Sequence, residues 1–128
     1  TDSPIHILIG ELDDWVPAEP CNEIVNDLKN TGHDISITIY PDSHHGYDRI
    51  GSESYIDNAY SFKDCSLSLN DNGTVVSNNI YFPLFSPLMQ KIGLFFCAER
   101  GSTIGGNELA RRASEIFALH FMNMNLGN

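Results

Sequence analysis

A chain of 128 residues can hold one compact domain with a real core, and 41% hydrophobic with 19% charged residues is a globular rather than a disordered composition. Seven Lys and Arg stand against seventeen Asp and Glu, a net charge of -10; such a surface repels phosphate backbones and anionic lipid heads, which disfavours nucleic acid and membrane partners. No stretch reaches the length of a membrane span, because the most apolar region, residues 80–97, is broken by Pro83, Pro87, Gln90 and Lys91.

Ile5, Ile7, Leu8 and Ile9 form a short apolar run ended by Gly10, the pattern of a strand buried on both faces. The chain thus opens on a strand almost at once, as expected of a segment within a longer polypeptide. After the loop Gly10 to Pro17, Cys21, Ile24, Val25 and Leu28 recur at helical spacing, with Gly32 as the stop. Ile35, Ile37 and Ile39 alternate with polar residues up to Tyr40, predicting a second strand with one wetter face. Strand, helix and strand in this order predict a parallel pair with a crossover helix, hence an α/β fold.

From His44 to about Tyr60 no periodic run survives, and residues 49–82 read as an irregular or inserted segment of a single 1–128 domain. Within it Asp64 to Asn79 has the pattern of a small hairpin, with a turn at Asn70-Asp71-Asn72-Gly73. Ser86-Pro87 reads as the cap and first residue of a helix presenting Leu88, Ile92, Phe95 and Phe96 on one face and stopping at Gly101. Gly101 to Gly106 lacks the Lys of a phosphate loop and reads as a turn. Asn107 then caps a closing helix with Leu109, Ala113, Ile116, Phe117, His120 and Phe121 in a stripe, fraying from Met122 onward.

Cys21, Cys65 and Cys97 are too few and too widely spaced for a local zinc knuckle. They admit one disulfide with one thiol left over. The candidate pair is Cys65 with Cys97, which would tie the irregular middle to the penultimate helix. The compartment stays open: cytoplasmic, or exported if that disulfide exists.

Ligands of open α/β sheets collect beyond the carboxyl ends of the strands. The Asp13/Asp14 loop and the His44/His45 loop both leave from such ends, delivering a carboxylate and an imidazole to one rim. Over Pro4 to Asp48 the segments GELDDWVPAEPC and IYPDSHHGYD resemble the last part of the dienelactone hydrolase family of α/β-hydrolases. The downstream CAERGSTIGGNELARRA is similar to the closing segment of a subgroup of that family. On this resemblance the fold is the C-terminal part of an α/β-hydrolase, with parallel strands, a crossover helix, a small hairpin and closing helices.

The same resemblance makes Asp13, three residues after Gly10, the triad acid and His45, before Gly46-Tyr47, the triad base. Asp14 is then solvated or forms a cap. Trp15 and Tyr47 are candidates for a substrate-pocket wall, with core packing the other reading. The implied activity is hydrolysis of an ester or lactone by acyl transfer, with no metal and no organic cofactor. The family's nucleophile sits on a Gly-x-Ser/Cys-x-Gly elbow before the acid, and no such elbow occurs in this sequence. The expectation is therefore an acid and base whose nucleophile lies upstream. The alternative is a non-catalytic binding or interaction module on the same fold. Asp42, His44, His45 and Asp48 crowd one short turn, an awkward arrangement for a metal. An open strand edge at Ile5 to Ile9 would favour a homodimer or strand-swapped assembly.

Overall fold

In the computed structural model, which describes residues 3–126, β1 (Ile5–Gly10) and β2 (Ile35–Tyr40) pair in parallel, from Ile5 opposite Ile35 to Gly10 opposite Tyr40. The crossover between them is α1 (Ala18–Asn30), whose Val25 is fully buried. Lys29 lies in the last turn of α1, where a cation suits the carbonyl end of the helix, and Gly32 beyond it has a φ of 87°.

The elements that follow are β3 (Ser54–Ser61), β4 (Leu67–Leu69), β5 (Val75–Ser77), β6 (Phe82–Pro83), α2 (Pro87–Phe95), β7 (Glu99–Ile104) and α3 (Glu108–Leu126). Strands β4, β5 and β6 form an antiparallel sheet, and β3 pairs with β7. The architecture is α/β, but its strands lie in three small sheets of mixed direction and not in one continuous α/β-hydrolase sheet. Two compact units result. One comprises the residues up to Tyr55 together with those from Thr103 onward, the other Ile56–Ser102.

In the first unit, side chains on successive strand residues alternate between faces. His6, Leu8, Ser36, Thr38 and Tyr40 share one face and meet α3. There Leu8 packs on a buried cluster of Tyr40, Tyr47 and Ala110, and the His6 ring lies 4.1 Å from that of Phe117. The inward stripe of α3 is the buried Ala110 and Ser114 with the partly buried Phe117 and Phe121; the two phenylalanines stand where expected, whereas Leu109, Ala113, Ile116 and His120 point to solvent. Small side chains at Ala110 and Ser114 let the helix sit close to the two tyrosines, Phe117 and Phe121 meet His6, and Leu109, Ile116 and Leu119 turn to solvent. The helix continues through Met122 to Leu126, where fraying was expected; Gly127 and Asn128 lie outside the described residues. Nor is β1 buried throughout, since Ile5 is 42% exposed in this two-stranded sheet.

The second unit contains the predicted hairpin, β4 with β5, its turn closed by the Gly73 N–H on the Asn70 carbonyl at 2.8 Å. Residues 49–82, expected to be irregular or inserted, hold β3 and the start of β6 besides this hairpin. Helix α2 begins as expected, with Ser86 Oγ accepting the Met89 N–H at 3.4 Å, but ends at Phe95. Its packed positions are Met89 and Gly93, with the buried Cys97 just past its end, while Leu88, Ile92, Phe95 and the cap residue Phe96 are exposed. The reason is Gly93: a Cβ there would overlap the Leu84 side chain, so α2 packs through its glycine and not through its large residues. Cys65 and Cys97 are joined in a disulfide, with Cα atoms 4.9 Å apart, and Cys21 is a free thiol. Residues 101–104, read as part of a turn, belong to β7.

Candidate active site

Both loops of interest leave the carboxyl ends of the parallel pair. Gly10 is required there because a Cβ would overlap the carbonyl oxygen of Ser43, so only glycine allows the β1 loop to lie against the β2 loop. The contact is fastened by the Leu12 N–H donating to the Ser43 carbonyl at 2.9 Å and the Glu11 N–H to that of Tyr40 at 2.9 Å.

Across this junction His45 Nδ1 lies 2.9 Å from Asp13 Oδ2. A carboxylate only accepts, so Nδ1 carries the hydrogen and Nε2 of the neutral ring is left as a base. Asp13 Oδ1 meanwhile accepts the backbone N–H groups of Trp15 at 3.0 Å and Val16 at 2.8 Å. The carboxylate is thus both the ring's partner and the organiser of its own loop, and three hydrogen bonds offset its burial. The exposures differ in the useful sense: the Asp13 side chain is 6% exposed and that of His45 40%. Trp15 flanks the imidazole, ring centroids 5.0 Å apart.

Asp14 is neither solvated nor a helix cap. Its Oδ1 accepts the Thr103 N–H at 2.8 Å and its Oδ2 the Thr103 hydroxyl at 3.0 Å, tying the acid loop to the chain before α3. That stretch also holds the histidine loop. Gly105 N–H donates to the His45 carbonyl at 3.1 Å, Asn107 N–H to that of Tyr47 at 2.9 Å, and Asn107 Nδ2 to the Asp42 carbonyl at 3.1 Å and Ser43 Oγ at 3.0 Å. Asn107 Oδ1 caps α3 by accepting the Leu109 and Ala110 N–H groups. Residues 103–107 are thus a clasp across both loops. Apart from the helix cap at Asn107, their sequence gives no sign of it.

His44 turns away from Asp13: its Nδ1 lies 3.0 Å from the Leu12 carbonyl and its Nε2 3.6 Å from Glu53. Tyr47 is in the core, its ring 5.0 Å from that of Tyr40 and its hydroxyl bonded to Ser114, so of its two readings core packing describes its position. Burial pushes the Tyr47 phenol above its ordinary pKa, opposed by the Ser114 bond. Among the described residues no three His, Cys, Asp or Glu side chains gather as metal ligands, and no helix is long and apolar enough to cross a membrane.

The parallel strands thus bring a buried carboxylate and a half-exposed imidazole together at one rim, hydrogen-bonded to each other. The dienelactone hydrolase family model matches residues 1–65, half of the chain, and the chain belongs to that family. No curated protein and no solved structure matches it.

Proposed function

We propose that this chain supplies the acid and base of an ester- or lactone-hydrolysing site, Asp13 holding His45 in the tautomer whose Nε2 takes a proton from a nucleophile on preceding sequence. The observation that carries this reading is the 2.9 Å bond between the buried Asp13 carboxylate and Nδ1 of the half-exposed His45, inside the segment that matches the family. The nucleophile, relieved of its proton by Nε2, would attack the carbonyl carbon. The imidazolium formed, steadied by Asp13, would then protonate the leaving alcohol, and water would complete hydrolysis by the same route. No step needs a metal or an organic cofactor.

The absence of a Gly-x-Ser/Cys-x-Gly elbow from these residues favours one second reading, a binding module that keeps the corner without the reaction. The test is hydrolysis of p-nitrophenyl acetate by this chain, by the polypeptide extended upstream, and by the extended polypeptide carrying His45→Ala. Activity in the extended form that falls by about a thousandfold or more on His45→Ala supports the catalytic reading. Activity indifferent to His45, or none in any form, sinks it in favour of the module.

A further inference from the structure

The second unit carries a groove of about 710 Å³, the size of a small-molecule site, that the reading above does not use. Its walls are Tyr60 near the end of β3, Phe62 just beyond it, Leu94 and Phe95 from α2, and the cations Lys91 and Arg100. The Tyr60 and Phe62 rings are nearly parallel, 7° between planes, and Phe95 is 79% exposed at the lip. Phe95 faces solvent because α2 packs through Gly93, which rolls the helix's large residues outward.

The charge of the groove is the reverse of the protein's. On a chain with seventeen acids and seven bases, two bases and no acid line it. Of the other five cations three are paired with carboxylates: Lys63 with Glu99, Arg111 with Glu108 and Glu115, and Arg112 with Glu108. Lys91 and Arg100 make no carboxylate pair among the described residues. Arg100 is held in place by neutral partners, its Nη1 donating to the Asn58 carbonyl at 2.9 Å and its guanidinium carbon lying 3.7 Å from the Tyr60 ring centroid. That fixes the fork while leaving donors for a ligand.

We propose that this groove binds a small aromatic carboxylate, its ring against Phe62, Phe95 and Leu94 and its carboxylate on Arg100 and Lys91. Flat apolar walls select the ring, and two cations without acidic partners select the charge. The inference is independent of the catalytic reading, since none of these residues belongs to the Asp13–His45 corner.

The probe is 2-naphthoate, titrated into the intact 128-residue chain with amide resonances recorded, beside neutral 2-naphthalenemethanol and the single variants Arg100→Gln and Lys91→Gln. Saturable naphthoate binding is expected, with shifts concentrated at residues 91–100 and 60–62. The neutral alcohol, and Arg100→Gln, should each bind about tenfold more weakly, the effect of one lost charge-assisted contact. Equal binding of acid and alcohol would reduce the groove to a greasy patch and overturn the proposal. So would absence of saturable binding in a folded variant set, or shifts at these residues that track protein dilution and not naphthoate, which would give the groove to a second copy of the chain.

Discussion

Asp14 and Thr103 stand 89 residues apart in sequence and are joined by two hydrogen bonds, both oxygens of the carboxylate being used. The residue next to the candidate acid is therefore a strut for the acid's loop. Asp14→Ala leaves the Thr103 N–H unpaired in a half-buried place, and the expected loss is about 1–3 kcal/mol in denaturant unfolding. Thr103→Val, which keeps the N–H bond, should lose less. If amide exchange at Thr103 were unchanged in Asp14→Ala, the strut would have no energetic weight.

The Gly10 and Ser43 backbones are in such close approach that Gly10→Ala must push the two loops apart. The expected cost is about 1–3 kcal/mol, together with loss of a slowly exchanging proton on His45 Nδ1 in NMR spectra. Gly32→Ala is the control. Its Cβ meets nothing within 4 Å, so only the strain of its positive φ is felt and the His45 signal should persist.

The Cys65–Cys97 bond closes a separation of 32 residues, for which chain entropy gives about 3–4 kcal/mol of stabilisation. Unreduced, denatured protein should titrate one thiol, Cys21, and reduced protein three. Three thiols without reductant would remove the bond. Reduction should lower the unfolding midpoint of probes in residues 56–102.

His6 lies under α3 between Ser36, Thr38, Phe117 and Phe121, and burial, with help from Lys29, holds its imidazole below its ordinary pKa. The unfolded chain then binds the proton more readily than the folded one. This contribution to stability is whole above the unfolded value, near 6.5, and is lost as pH falls through it toward the folded value. The melting temperature should fall between pH 7.5 and 5.5, and fall less in His6→Gln. An equal fall in both proteins would acquit His6.

What could be read beforehand follows from how each residue's signal is carried. The parallel pair was legible because Ile35, Ile37 and Ile39 alternate, and Asp13 and His45 because glycine, proline and tyrosine surround them in a recognisable order. Strands β3 and β7 were not, because their buried positions are Ala59, Ser61 and Ser102, which leave no apolar rhythm. On α2 and α3 the apolar rhythm marks Phe117 and Phe121 rightly but misses Gly93, Ala110 and Ser114, whose small size decides the closest packing. The Asp14 and Asn107 contacts depend on where a distant segment returns, which no local pattern encodes.

The clasp at residues 103–107 also sets an order of events in folding. Strands β1 and β2 pair across about thirty residues and can close early, whereas the bonds from Thr103 to Asp14 need a loop of 89 to be closed first. A nascent chain holding only its first half can form the parallel pair and still have neither loop fastened at its far side. Assembly of the Asp13–His45 corner is then completed when the stretch leading into α3 arrives.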